Sequence, residues 1–348
     1  MAPGNKPYLA FALLTVSHGL LLLAGFFAPY DPTSQDRELS FAPPSRIHFI
    51  DRQHKLHLRP FVYRLRTSTG ERGDYCEDQA TIYPVRFFSQ HHFLVVDSPA
   101  KIFLMGSDAY GRDQFSRFLY GGRISLFAGL LATAISLILG MILGGAAGFY
   151  GRWLDELIMR VAEIFLTLPW LYLLFAVRAF LPLHIAPSAV FLLLISVLGA
   201  IGWARPARLI RGVVLSARER DHVLAARGFG ASDIYLLRRH VLPQARSVVL
   251  TQAAILVPTY VLAEVVLSFF GLGVSEPAPS WGNLLANLRQ YGVLESCWWM
   301  FLPALALVPV FLAYYGLFSY YGYCYGGSRG GLGVVLNLMR PVRLEPES

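Results

Sequence analysis

Lysine is nearly missing from this sequence. It occurs three times in 348 residues, as Lys6, Lys55 and Lys101, and none of the three follows a glycine. A phosphate-cradling P-loop ends in Gly-Lys-Ser/Thr, so this chain cannot hold ATP through one. Cysteine is equally scarce. Cys76, Cys297 and Cys324 show neither a CxxC spacing nor the Cys/His pattern of a zinc site. His91-His92 lacks a helical i, i+4 partner and reads as solvated rather than metal-binding. HExxH and any acid–histidine cluster within an apolar run are absent, so a membrane-embedded enzyme would lack these usual residues. No stretch has the form of an ion-selectivity filter, which weakens a channel reading. No repeat of 20–50 residues is evident. Charged residues make up 15% of the chain, against about 25% in soluble domains.

What is abundant is apolar. Hydrophobic residues reach 55% and mean hydropathy is +0.48. Uncharged or nearly uncharged runs predict six membrane-crossing helices, at 8–27, 124–150, about 157–177, about 188–203 or from a turn earlier, about 247–272 and 299–323, the first of them long enough for about 30 Å of hydrocarbon. A cleaved signal peptide is the rival for the first run, but Ala24-Gly25-Phe26 makes a poor cleavage site. Pro169, Pro258, Pro303 and Pro309 are candidate kinks. Gly140, Gly144 and Gly148 recur every four residues and predict one helix face for close packing. The net charge of +8 comes almost wholly from arginines that flank apolar spans. That pattern fits membrane topology better than nucleic-acid binding.

One stretch gathers that charge. Residues 204–245, with Arg246 at the exit, carry Arg205, Arg208, Arg211, Arg218, Arg220, Arg227, Arg238 and Arg239 against only Glu219, Asp221 and Asp233. Nine arginines less three acids leaves +6, the signature of a cytoplasmic loop. Within it, 217–227 predicts a helix that Gly228-Phe229-Gly230 stops. Ser232 predicts a cap for a second helix, 233–241, that Pro243 ends. Between the first two spans, 28–118 is the one long polar region. Strands are expected at 56–65 and 84–96, in a small extracytoplasmic insertion near 50–102. A docking platform and a shield for an entrance both fit it.

Several motifs, in order, resemble the permease subunits of ABC importers, in the dipeptide/oligopeptide/nickel branch. Ala225-Ala226, Gly230 and Leu242-Pro243 resemble the loop that couples such permeases to their ATPases; Leu224 stands where the family has glutamate. Met105 to Leu126 resembles a signature ahead of the second span, here with Asp108, Gly111, Arg112, Asp113, Arg117 and Arg123. Asp113 precedes Arg117 by four residues, the order that favours a helical ion pair. EVVLSFFGLG from Glu264 and SEPAPSWGNLL from Ser275 match further family segments, whereas the tail from Phe318 does not.

The resemblance implies an all-α membrane protein of ABC type I importer architecture. Its parts would be a first helix at 1–27, an extracytoplasmic region at 28–118, a permease core at 119–323 with a coupling loop at 204–245, and a cytoplasmic tail at 324–348. It implies no cofactor in this chain, with ATP and Mg on partner ATPase subunits. The implied partners are a second permease subunit, two ABC ATPase subunits, an extracytoplasmic solute-binding protein and membrane lipid. The coupling residues would be Leu224, Ala225, Ala226, Arg227, Gly230, His240, Leu242 and Pro243. The expected location is the inner membrane with both termini cytoplasmic, and the expected solute a peptide, with nickel or another small solute as the alternative. Glu264, in the fifth span, either lines the translocation path or is buried against a neighbouring helix; a charge there is costly. Cys76 and Cys297 fall on one expected side, which permits a bridge between them.

Overall fold

The computed structural model describes residues 6–67, 75–89, 91–180 and 187–326. Pro182 and Ala186, which with Pro187 are expected to mark a short outer turn, and nearly all of the tail lie outside them.

The chain opens with α1 (Lys6–Leu22), interrupted at Leu23 and resumed as the one-turn α2 (Ala24–Phe27). Five strands follow: β1 (His48–Ile50), β2 (Leu56–Thr67), β3 (Tyr75–Pro84), β4 (Arg86–Ser89) and β5 (His92–Val95). The first three form an antiparallel sheet with β2 central, in which Phe61 pairs with His48 on one side and Pro84 on the other. β4 and β5 form a separate hairpin. Sequence reading missed β3, because its side chains are mostly exposed and polar and leave no apolar alternation to find. Val62, Val85, Leu94, Val96 and Ile102 make the small core of this region.

The helix α3 (Gln114–Tyr150) begins ten residues before the expected span. At 37 residues it is about 55 Å long, more than a bilayer needs. Asp113 starts it by accepting from the Ser116 backbone N–H at 2.8 Å. A chain reversal at Gly151 leads to α4 (Arg152–Thr167) and α5 (Trp170–Phe180). These two meet at 85°, a break rather than the gentle kink expected of Pro169. Leu168, held extended at φ −70° and ψ 128° ahead of the proline, is the cause.

α6 (Pro187–Ile201) runs almost directly into α7 (Ala204–Arg218). The arginine-rich stretch is therefore not all loop: its first fifteen residues extend the fourth span. α7 lies along the glycine face of α3. A methyl group on Gly140 would come within 2.7 Å of Pro206, and one on Gly148 within 2.8 Å of the Arg211 carbonyl, so only glycine admits this approach. Next come α8 (Asp221–Gly228) and α9 (Asp233–Leu236). Ser232 stands at the cap position of α9, but its hydroxyl makes no capping bond. Nor does Pro243 end the segment: a π turn (Leu237–Val241) and a 3-10 turn (Leu242–Ala245) carry the chain straight into α10 (Arg246–Phe269). Pro243 opens the 3-10 turn, where its missing N–H costs nothing.

α11 (Trp281–Ala286) is short and closed by a Ser280–Asn283 capping box. After α12 (Tyr291–Ser296), α13 (Leu302–Gly326) completes the described chain. Among the described residues, four helical stretches are long and apolar enough to cross a membrane, or five if the bent α4–α5 pair is one span. Tyr8–Leu22 is apolar but shorter. One core joins α1, α3, α10, α11 and α13, and another joins α3, α5, α6 and α10. α3 belongs to both.

Candidate functional site

Two groups of the expected residues are assembled, at opposite ends of α3. The first is a projecting knuckle, α8–turn–α9. Its stem is fixed by Val223, Leu236 and Val241, each fully buried against Ile210 and Val214 of α7 and Phe149 of α3. Its tip is apolar and bare. Phe229 is 93% exposed, and Leu224, Ile234 and Tyr235 join it at the surface. Gly230 makes the turn at φ +86°, which other residues adopt only with strain. Ala226 and Leu242 pack on the stem, while Ala225 is exposed. Arg227 reaches Asp233 at 3.6 Å and lies over the Phe149 ring at 5.6 Å. His240 faces the Tyr235 ring, and its carbonyl accepts from Gln244 Nε2 at 3.0 Å. Pro243 closes the group at the base. Phe229, Ile234 and Tyr235 were missed in the sequence, although a phenylalanine between two glycines of a basic segment is a visible oddity.

The second group is a buried knot of charge where the signature meets the segment before α11. Arg112 Nε donates to Asp108 Oδ2 at 2.7 Å and Arg112 Nη1 to Glu276 at 2.6 Å. Arg117 Nη2 donates to both oxygens of the Glu276 carboxylate, at 3.0 and 3.1 Å, and its Nη1 to the carbonyls of Pro32 and Pro277. Two arginines against two acids leave the knot neutral, the condition under which buried charge is tolerated. Gly111 turns the loop at φ +68°, pressed against the Asp36 backbone. The expected Asp113–Arg117 pair does not form. Asp113 caps α3 instead, and burial pushes its carboxyl up to about 6. Glu276, the hub, was not singled out from sequence. Its carboxylate borders a polar cavity of about 660 Å³ together with Tyr110, Asn287 and Gln290. Arg123 lies apart from the knot, exposed on α3 beside Tyr120 and Phe127, with no ion pair among the described residues.

The sequence model of the binding-protein-dependent transport system inner membrane component matches residues 136–322, more than half of the chain and the part that contains the knuckle. This chain belongs to that family. It is a multi-pass inner-membrane permease. The permease is 36% identical over 200 residues to the dipeptide transport system permease protein DppC of Bacillus subtilis, covering 57% of this chain and 60% of that one. With a peptide permease protein of Brucella ovis it shares 38% over 209 residues, 60% of this chain and 67% of that one. A chain of the MetNI methionine ABC transporter aligns with a TM-score of 0.40 and 21% identity, over 62% of the permease and 95% of that chain, too loosely to bear on geometry.

Glu264 of the permease is 1% exposed. One carboxylate oxygen accepts from Ser268 Oγ at 2.6 Å, and the side chain sits between α10 and the segment before α11. Cys76 is exposed on β3 and Cys297 is buried beside Val293, Trp299 and Met300; both are free, so the bridge is not formed. Their surroundings explain it, since one thiol faces outward from a sheet and the other is enclosed.

Proposed function

We propose that the permease is one membrane-spanning subunit of a peptide importer, passing peptides inward while separate ATPase subunits hydrolyse ATP. The observation that carries this reading is the knuckle: an apolar tip held rigidly on a buried stem, which leaves exposed what a soluble partner would cover. Its residues match the family's coupling loop, so the partner is an ABC ATPase, with ATP and Mg bound there. The names of the related permeases support peptides as the solute. Six spans follow if α1–α2 crosses as one and α4–α5 as one. Both termini and the knuckle then lie on the cytoplasmic side, with the sheet region outside. A second permease chain, two ATPase subunits and an extracytoplasmic binding protein complete the assembly. ATP binding would toggle the spans between access states.

Gly230→Asp tests the coupling. No atom lies near a Cβ at this position, so the variant fits the membrane domain, but the φ of +86° and the added charge spoil the tip. Solute-stimulated ATP hydrolysis by the assembled complex should vanish while membrane insertion stays normal. Unchanged stimulation would refute the docking role.

A further inference from the structure

α4 and α7 run against each other and carry a ladder of opposite charges. Asp155 on α4 holds Arg211 on α7 through both carboxylate oxygens. One step further along, Glu163 faces Arg208 at 3.9 Å. Arg205 is the next rung, three residues before Arg208, and no acid stands opposite it. Among the described residues it makes no hydrogen bond or ion pair, and it is exposed. α4 ends at Thr167, where the 85° break turns the chain away. In the space this opens lies a cavity of about 220 Å³, lined by Arg205 with Phe165, Trp170, Ile201, Thr259 and Tyr260.

The depth of this cavity matters. Gly140 of α3 packs on Trp203 and Pro206, at the start of α7. Ten residues separate it from Tyr150, roughly 15 Å along the helix. There Tyr150 and Trp153, both well exposed on either side of the Gly151 reversal, mark a membrane face. If that face is the edge of a hydrocarbon core of about 30 Å, Arg205 stands near its middle. A lone guanidinium at that depth is costly, and such residues occur where they have work to do.

The hydroxyl donors of the cavity are taken. Tyr260 is committed to Ser136 at 2.7 Å, and Thr259 donates to the Ile255 carbonyl at 2.7 Å. With those hydroxyl hydrogens used, the side-chain donors left free are the guanidinium and the indole N–H of Trp170. We infer that this cavity is a solute site in the translocation path, in which Arg205 receives the terminal carboxylate of the transported peptide. The solute supplies the missing acid of the third rung. A planar guanidinium suits a carboxylate through paired donors, which an ammonium would not offer in the same geometry.

This inference rests on the peptide-importer reading and deepens it. The test uses the whole complex in proteoliposomes, with its binding protein and ATPase subunits. Uptake of di- and tri-alanine is compared with that of their C-terminal amides, each at a concentration that saturates the binding protein. In the wild type the free acids should be favoured at least tenfold. Arg205→Gln should bring that ratio close to one, and Arg205→Lys should keep part of it. An unchanged ratio in Arg205→Gln would overturn the inference. So would failure of the Arg205→Gln subunits to co-purify, which would mean that a carboxylate of the second permease chain completes the ladder. A wild-type complex that accumulates neither form removes the peptide reading, and this inference with it.

Discussion

The two ends of α3 use arginine in opposite ways. At the signature knot, Arg112 and Arg117 are almost wholly buried, every charge has a partner, and both arginines reach Glu276 on a distant segment. Asp108 and both arginines come from one loop and helix start, Glu276 from 160 residues later in the chain. At the knuckle, Arg220, Arg238 and Arg239 are exposed, and the one ion pair there, Arg227–Asp233, lies half in solvent. Such a pair is worth about 0–1 kcal/mol. The knot is finished within this chain and ties the fold together. The knuckle is unfinished, because its stem is packed and its tip is bare. Completeness marks structure, and incompleteness on a rigid support marks a place for something else.

The largest effect that would break this contrast is expected at Arg117. Arg117→Met removes one of the two guanidiniums shared by buried Asp108 and half-exposed Glu276, and with it the bonds to the Pro32 and Pro277 carbonyls, at a cost of about 1–3 kcal/mol. The purified permease should lose thermal stability and yield sharply. A melting temperature within a few degrees of wild type would show that the knot holds nothing.

Next in size is the seam that positions the knuckle. Gly144→Val presses a side chain into the Ala207 backbone, where α3 and α7 touch. Overpacking of this kind costs about 1–3 kcal/mol. Because the strain falls between the membrane helices and the knuckle stem, solute-stimulated ATP hydrolysis should fall along with stability. Full coupling in a destabilised protein would separate the seam from the knuckle.

A further effect concerns pH at the knot. Asp113 titrates near 6 in the folded chain against 3.8 when unfolded, because burial favours its neutral form. Between those values the folded state binds the extra proton, so this residue's contribution to stability is full below pH 3.8 and falls as pH rises to about 6. Above that it stays constant. Asp113→Asn keeps a capping oxygen and cannot titrate. The difference in melting temperature between wild type and variant should therefore change over pH 4–6 in favour of the variant. A flat difference across that window would place the Asp113 carboxyl in an ordinary, solvated setting.

Much of this was legible in the sequence for definite reasons. Spans announce themselves because hydrocarbon demands long apolar runs, and the family motifs stand in linear order. Gly140, Gly144 and Gly148 declared close packing because spacing by four puts small residues on one helix face. Gly230 declared its turn because few other residues take positive φ. Pairings were a different matter. Nothing local says that the glycine face meets α7, that Arg117 leaves Asp113 for Glu276, or that Ser232 caps nothing. Nor does charge counting reveal depth. The +6 of residues 204–245 reads as one cytoplasmic loop, yet its first fifteen residues continue the fourth span as helix. Composition and period fix what each segment must bury, since solvation acts on every residue where it stands. Which buried groups face one another depends on contacts between residues far apart in the chain, and only the packed helices decide those.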